Sequence, residues 1–312
     1  MFTLTRSNAV LLIEERLMGM GYQLWISPIT GYRRNGTRFS ALKKIFIDSV
    51  TVRDIYEPLM CCRSEDPSGH VKETLIHRQF DTAGVIDQDE KVIGYVNTSD
   101  LKDGVIEDYR VDIKLDQVIS DSTPLASLLN VLQVSDFLYV NHGARVVGII
   151  TKADLNKPPV RVYVFGMLSL FEMHLNSWIR YDYPDNCWKE KLSLKRSGKA
   201  QTIYEERKKN NQDLSLLDCL QLADKRDLLS KSKAFRDRFG FKKQEMERFI
   251  RGAEKIRNEV AHSQDSIISS LHWEFFVEVL EKVDSFLSKS DELIELEAKG
   301  GAQDFVEYLT TA

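Results

Sequence analysis

Arg257, Asn258 and His262 lie in the string Arg-Asn-Glu-Val-Ala-His, an arginine and a histidine separated by four residues, with an amide beside the arginine. An imidazole exchanges a proton near neutral pH and a guanidinium neutralises developing negative charge, so these types together could serve acid–base chemistry at an anion. A second set consists of short polar side chains at equal spacing, Asn97 with Asp100 and Thr151 with Asp154. An aspartate at the head of a helix caps free backbone N–H groups, and its other oxygen can accept from a ribose hydroxyl. The threonine hydroxyl can reach a ribose or a phosphate. Capping alone, without a ligand, would also account for either aspartate.

Helical periodicity positions the first set. At about 100° per residue, Phe249, Ala253, Ile256 and Val260 form one narrow apolar stripe, which must face a core. Arg251, Lys255, Asn258 and His262 fall nearly opposite, with Arg257 at the flank. His262 is therefore not a core histidine: it is either an exposed ring near a helix C-terminus or a functional group. On an earlier helix, Phe165, Leu168, Leu175 and Ile179 read as a buried stripe that Glu172 interrupts. A carboxylate there needs a partner, a raised pKa or a route to water.

An internal repeat positions the second set. A shift of 54 residues lays Val92–Leu101 (VIGYVNTSDL) on Val146–Leu155 (VVGIITKADL) without a gap. Each copy reads as a helix, a short apolar strand (Ala83–Ile86; Phe137–Val140), a polar turn, a second strand and another helix, and Pro124 suits the first turn of the second copy's helix. One copy has too little surface to hide a core, so the two are expected to pack as a pseudo-twofold pair.

The repeat resembles a Bateman module, the tandem pair of CBS domains. The family motif of Gly, two apolar residues, Thr or Ser and then Asp at a helix start appears as Gly148, Thr151 and Asp154, and in weaker form as Gly94, Asn97 and Asp100. The resemblance implies a sensor for an adenine-containing ligand such as AMP, ATP, NAD, S-adenosylmethionine or a cyclic nucleotide. Asn97, Asp100, Thr151 and Asp154 are the implied contacts, with the second pair the stronger.

After Asn156-Lys157-Pro158-Pro159 the strand-like alternation ends, and helical patterns follow at Phe165–Tyr181, around Trp188, and at Thr202–Lys209, Leu214–Ser232, Lys242–His262 and His272–Ala298. Residues 164 to 298 resemble a HEPN domain, whose ribonuclease members carry an Arg, a polar residue, three more and His near the end of one helix. The resemblance implies metal-independent endoribonuclease chemistry at Arg257, Asn258 and His262, with Glu172 holding Arg257. It implies no cofactor for catalysis and no metal. Each chain offers one motif histidine, so a homodimer or higher homo-oligomer that pairs the motif faces would supply both acid and base. The alternative is a non-catalytic HEPN scaffold, or the target of a modifying enzyme, regulated by ligand on the CBS pair.

The expected architecture is α+β: residues 1–49 as a helix and hairpin packing on the sensor, 50–157 as the CBS-pair α/β module, and 158–312 as an all-α bundle. Residues 161–262 carry 22 Lys+Arg against 15 Asp+Glu, and 263–312 carry 3 against 11. Such a basic segment suits a polyanion such as RNA, and Arg207–Lys209 and Lys242-Lys243 are candidates for phosphate contacts; a bundle with ordinary solvated charges is the plainer account. No apolar stretch suits a bilayer span or signal peptide, and the four cysteines fall in no metal or disulfide spacing. A cytoplasmic protein without membrane contact is expected. Growth arrest or antiviral defence would be the setting that the resemblances imply.

Overall fold

The computed structural model describes residues 38–133, 135–210, 215–261 and 272–311. Its contacts divide the chain into one unit of Ile45–Arg161 and another of Met1–Lys44 with Val162–Ala312. The first is an α/β module and the second is helical. Among the described residues, no helix is long and apolar enough to cross a membrane.

After α1 (Phe39–Ser49) and the short strand β1 (Glu57–Pro58), the chain forms β2 (Cys61–Arg63), α2 (Ser68–Arg78), β3 (Thr82–Ile86) and β4 (Val92–Asn97). It then repeats the order as β5 (Val118–Ser120), α3 (Leu125–Val131), β6 (Phe137–His142) and β7 (Arg145–Thr151). In each half the first strand pairs parallel with the second, and the second antiparallel with the third. Even the irregularity recurs, with register shifts at Val85/Ile86 and Val140/Asn141. Pro67 and Pro124 stand at the N-caps of α2 and α3, where the missing N–H costs no helical hydrogen bond. Val71 and Leu75 of α2 bury against Ala83, Val85 and Val96 of its sheet. The halves meet at Tyr139, whose hydroxyl lies 3.0 Å from Thr82 Oγ1 and whose ring centroid is 5.4 Å from that of Tyr95.

The halves also exchange their leading segments. Val52 and Arg53 donate backbone hydrogen bonds of 2.9 Å to Thr123 and Asp121, while Ile106 and Glu107 donate 3.0 Å bonds to Asp66 and Ser64. Further along, Pro58 of β1 lies opposite Gly148 of β7, and Val111 bridges Tyr95 of β4. Each crossing needs a glycine. A Cβ at Gly148 would overlap the Tyr56 ring and lie 2.6 Å from Glu57 O, and one at Gly94 would lie 2.7 Å from Val111 O. Gly148→Ala should therefore lower stability by about 1–3 kcal/mol, the usual cost of overpacking. Urea unfolding of the two proteins measures it.

The helical unit contains α4 (Pro158–Asp182, entered from the first unit), α5 (Leu194–Lys209), α6 (Leu222–Lys231), α7 (Lys233–Phe239), α8 (Lys243–Ala261) and α9 (Trp273–Thr311). Phe171 of α4 centres its core, 5.4 Å from the ring of Phe249 and 5.1 Å from that of Phe286. The buried face of α4 is thus centred on Phe171 and Trp178. Phe165, expected in the core, sits about 120° around the helix from Phe171 and is exposed.

The helix expected over Leu214–Ser232 is broken. Leu214 lies outside the described residues, Leu216–Cys219 is a 3-10 turn, and α6 begins at Leu222. The cause is capping: Asp218 accepts from Ser215 N at 2.9 Å, Asp224 accepts from Gln221 N at 3.2 Å, and Ser232 caps α7 through Phe235 N. Residues 1–49 were expected on the sensor. Residues 1–37 lie outside the described residues, and 38–44 fall in the helical unit, where Phe39 N donates to Asp291 at 2.8 Å and Lys43 pairs with Asp284 at 2.7 Å.

His174 lies fully buried in this core, its Nδ1 2.7 Å from Ser290 Oγ, which also accepts from Trp178 Nε1 at 2.7 Å. With Trp178 donating to it, Ser290 can direct its own proton to Nδ1, leaving the proton of the neutral ring on Nε2. Burial pushes the imidazole down to about 3, from an ordinary 6.5. The unfolded chain takes up this proton below pH 6.5 while the folded core refuses it. The group's contribution to stability is therefore complete above that pH and is lost as pH falls towards 3, by at most about 1.4 kcal/mol per unit. Melting curves from pH 7 to 4 should fall less steeply for His174→Gln than for the parent, whatever the variant's absolute stability.

Candidate functional site

In the α/β unit, the two Asp positions have matching places but different surroundings. Thr151 closes β7, and Asp154 folds back from the following 3-10 turn: its Oδ2 accepts from Thr151 N at 2.7 Å and from Thr151 Oγ1 at 3.1 Å. Its Oδ1 pairs with Lys157 at 2.9 Å, and Lys157 also meets Glu57 and the carbonyl of Ile55. Burial disfavours the Lys157 ammonium, but the Glu57 and Asp154 carboxylates outweigh it and hold the pKa above the ordinary lysine value. Asp154 is thus a buried helix cap with both oxygens engaged inside the protein.

Asp100, the counterpart after β4, is exposed, and its carboxylate accepts from two side chains, Asn97 Nδ2 at 2.9 Å and Ser99 Oγ at 3.0 Å. The Asn97 bond, followed by that of Ser99, holds its carboxyl below the usual range. A hydroxyl can reach Asp100 by displacing exposed side chains, whereas reaching Asp154 means displacing Lys157. Sequence reasoning ranked Thr151 and Asp154 first from residue types and did not detect Lys157, whose role depends on the crossing segment that carries Glu57.

In the helical unit, α4, α6 and α8 bring Glu172, Lys225 and Arg257 together. Lys225 is buried, and its Nζ bonds Glu172 Oε1 at 2.6 Å. The other carboxylate oxygen, Oε2, lies 3.5 Å from Arg257 Nη2. Arg257 Nη1 donates to Asn258 Oδ1 at 3.2 Å. Burial pulls the Lys225 ammonium below the ordinary lysine range, against the attraction of Glu172. The expected Glu172–Arg257 pair is present, but as the longer arm of a bridge whose shorter arm is Lys225. Sequence reasoning missed Lys225 because Asp224-Lys225-Arg226-Asp227 reads as a solvated charge cluster.

This bridge opens on a cavity of about 510 Å³ bordered by Glu172, Arg207, Asp218, Glu254, Arg257 and Asn258. Arg207, read from sequence as a general phosphate contact, is therefore a neighbour of Arg257. His262 lies outside the described residues. A guanidinium with one side against a carboxylate and the other on an open cavity can take an anion without losing its internal anchor.

No family model matches the chain, and no curated protein matches it. Solved structures similar to part of it include CBS domains. CBSX2 from Arabidopsis thaliana, solved alone and in complex with AMP, is 20% identical, with 36% of this chain covered, 95% and 97% of those chains, and a TM-score of 0.31. The CBS domain of a CBS-domain-containing membrane protein from Sphaerobacter thermophilus is 17% identical, with 37% of this chain and 91% of that chain covered and a TM-score of 0.31. The CBS pair of MJ0100, in complex with 5'-methylthioadenosine and S-adenosyl-L-methionine, is 20% identical, with 34% and 92% covered and a TM-score of 0.30.

The two aspartates should separate in a stability measurement. Asp154→Ala removes a cap and a partner of Lys157 and should cost about 1–2 kcal/mol, while the exposed Asp100→Ala should stay within about 0.5 kcal/mol. Denaturant midpoints of the two variants check this, and equal losses would mean that Asp100 also carries the fold.

Proposed function

We propose that the chain is an adenine-nucleotide-responsive regulator whose α/β unit takes the ligand and whose helical unit cleaves RNA without a metal. The observation that carries the second part is the cavity at which Arg257, anchored by Glu172 and Lys225, stands beside Asn258. The reaction is attack by a ribose 2′-oxygen on the adjacent phosphorus, with departure of the 5′-oxygen, leaving a 2′,3′-cyclic phosphate and a 5′-hydroxyl. Arg257 would neutralise the equatorial oxygens in the transition state, and Asn258 would orient it or the phosphate. His262 of one chain would accept the 2′ proton, and His262 of a second copy would protonate the leaving oxygen. DNA lacks the attacking group and would bind without reacting.

For the α/β unit, support comes from the duplicated halves and from paired polar sets at matching places, Asn97 with Asp100 and Thr151 with Asp154. Asp100 is the more open ribose acceptor, and Asp154 would act once Lys157 turns to a phosphate. Calorimetry with AMP, ATP and S-adenosylmethionine on Asp100→Ala and Asp154→Ala tells which half takes the ligand. Unchanged affinity in both would leave the aspartates as caps and local contacts.

The nuclease is tested with end-labelled single-stranded RNA in EDTA, with and without those three ligands. The protein should yield fragments ending in cyclic phosphate, and His262→Ala and Arg257→Ala should each abolish cutting. Arg257→Ala should keep its fold, because Glu172 retains Lys225. If the parent protein leaves RNA intact under every condition, or His262→Ala cuts equally well, the helical unit is a scaffold and not an enzyme.

A further inference from the structure

The cavity at Arg257 has no surplus of positive charge. Glu172, Asp218 and Glu254 are matched by Arg207, Arg257 and the bridging Lys225. A polyanion held there needs an attracting potential from outside the cavity, and α8 carries one. Arg248, Arg251 and Lys255 border a separate cleft of about 280 Å³ together with Glu247, Gly252 and Phe275 of α9.

Gly252 creates this cleft by letting the helices approach: a Cβ there would lie 2.6 Å from Val279 and 3.0 Å from the Phe275 ring. The Arg248 guanidinium lies over that ring, 4.3 Å from its centroid, and is fixed by Glu278 at 3.1 Å. Arg251 and Lys255 are exposed, and no acid among the described residues pairs with either. With Asn258 they occupy one arc of α8 at i, i+4 and i+7, so that Asn258 borders the cavity and the two cations border the cleft. From Arg248 to Asn258 the helix rises about 15 Å.

We propose that Arg248, Arg251, Lys255 and Phe275 form a subsite for single-stranded RNA, which holds the strand as it leaves the Arg257 cavity. Arg251 and Lys255 contact successive phosphates, and the flat pair of Arg248 on Phe275 provides a plane on which a base stacks. Glu247 at the edge disfavours anions on its side and so gives the track a direction. The subsite rests on the RNA-cleaving function proposed above.

The test uses a fluorescent 2′-O-methyl oligouridine, which has no free 2′-hydroxyl and cannot be cut, titrated by anisotropy at several salt concentrations. Each lost phosphate contact on a single strand lowers the slope of log K against log salt by about 0.7, so Arg251→Gln with Lys255→Gln should lower it by about 1.4. Lys189→Gln with Lys191→Gln removes the same charge from another exposed segment and should leave the slope unchanged. Arg248→Lys keeps the charge but loses the stacking plane, and should weaken binding several-fold at constant slope. A parent-like slope in the Arg251/Lys255 variant, or an equal drop in the Lys189/Lys191 control, overturns the subsite while the nuclease stands on its own cleavage assay. Failure of the parent protein to bind the oligomer also overturns the subsite, and the cleavage assay alone decides the nuclease.

Discussion

A lysine side chain buried to 1% exposure cannot remain charged without a carboxylate, and Glu172 is the carboxylate that Lys225 has. That pairing fixes more than one contact. It ties α6 to α4 and sets the rotation of α6, and it uses one oxygen of Glu172 so that the other is presented to Arg257 on α8. Removing Lys225 would free Glu172 to close fully on Arg257. Removing Glu172 would strand a buried ammonium and loosen Arg257 together. The longer Arg257 arm, at 3.5 Å, is the part of the bridge that can yield to an incoming anion without unfolding the rest.

The α/β unit depends on a backbone constraint of another kind. Each half takes a strand segment from the chain that precedes the other half: the first is completed by residues 105–111 just after it, whereas the second is completed by residues 52–58 from before the first and is not built from contiguous sequence. The crossing passes directly over Gly148 and Gly94, and these glycines belong to the same short strings that end in Asp154 and Asp100. The motif therefore has a structural component and a polar component. At Asp154 the two are fused, since Lys157 reaches both the cap and Glu57 of the crossing strand. At Asp100 they are separate, which leaves its carboxylate open.

Much of this was legible in the residues, for a physical reason in each case. The repeat of VIGYVNTSDL on VVGIITKADL predicted strands β4 and β7, because alternation is a local property, but the helix expected after each strand is a bare turn after β4 and a 3-10 turn after β7. The apolar stripe Phe249, Ala253, Ile256 and Val260 is buried as expected, since a helix with so narrow a stripe has one way to face a core. What was not legible depends on partners far along the chain. The crossing segments bond through backbone groups that leave no trace in side-chain type. Lys225 sits among charges, and only its Glu172 partner, 53 residues away, distinguishes it from a surface lysine. Phe165 was misplaced because its stripe was drawn through Glu172, whereas the bulk of Phe171 and Trp178 sets the true centre.

Regulation of one unit by a ligand on the other carries a thermodynamic condition stricter than sharing a chain. A nucleotide on the α/β unit alters RNA affinity only if it binds the RNA-competent arrangement more tightly than the other, and RNA must then alter nucleotide affinity by the same factor. Reciprocity holds for binding and not for turnover, so any such coupling would be measured on the uncut complex. It also constrains the site. A ligand that merely completes the hydrogen bonds of Asp100 binds both arrangements alike and transmits nothing. One that draws Lys157 from Asp154 and Glu57 disturbs the crossing strand over Gly148, and with it the packing of the whole α/β unit. The half whose cap and crossing are fused would be the one whose occupation had a conformational consequence.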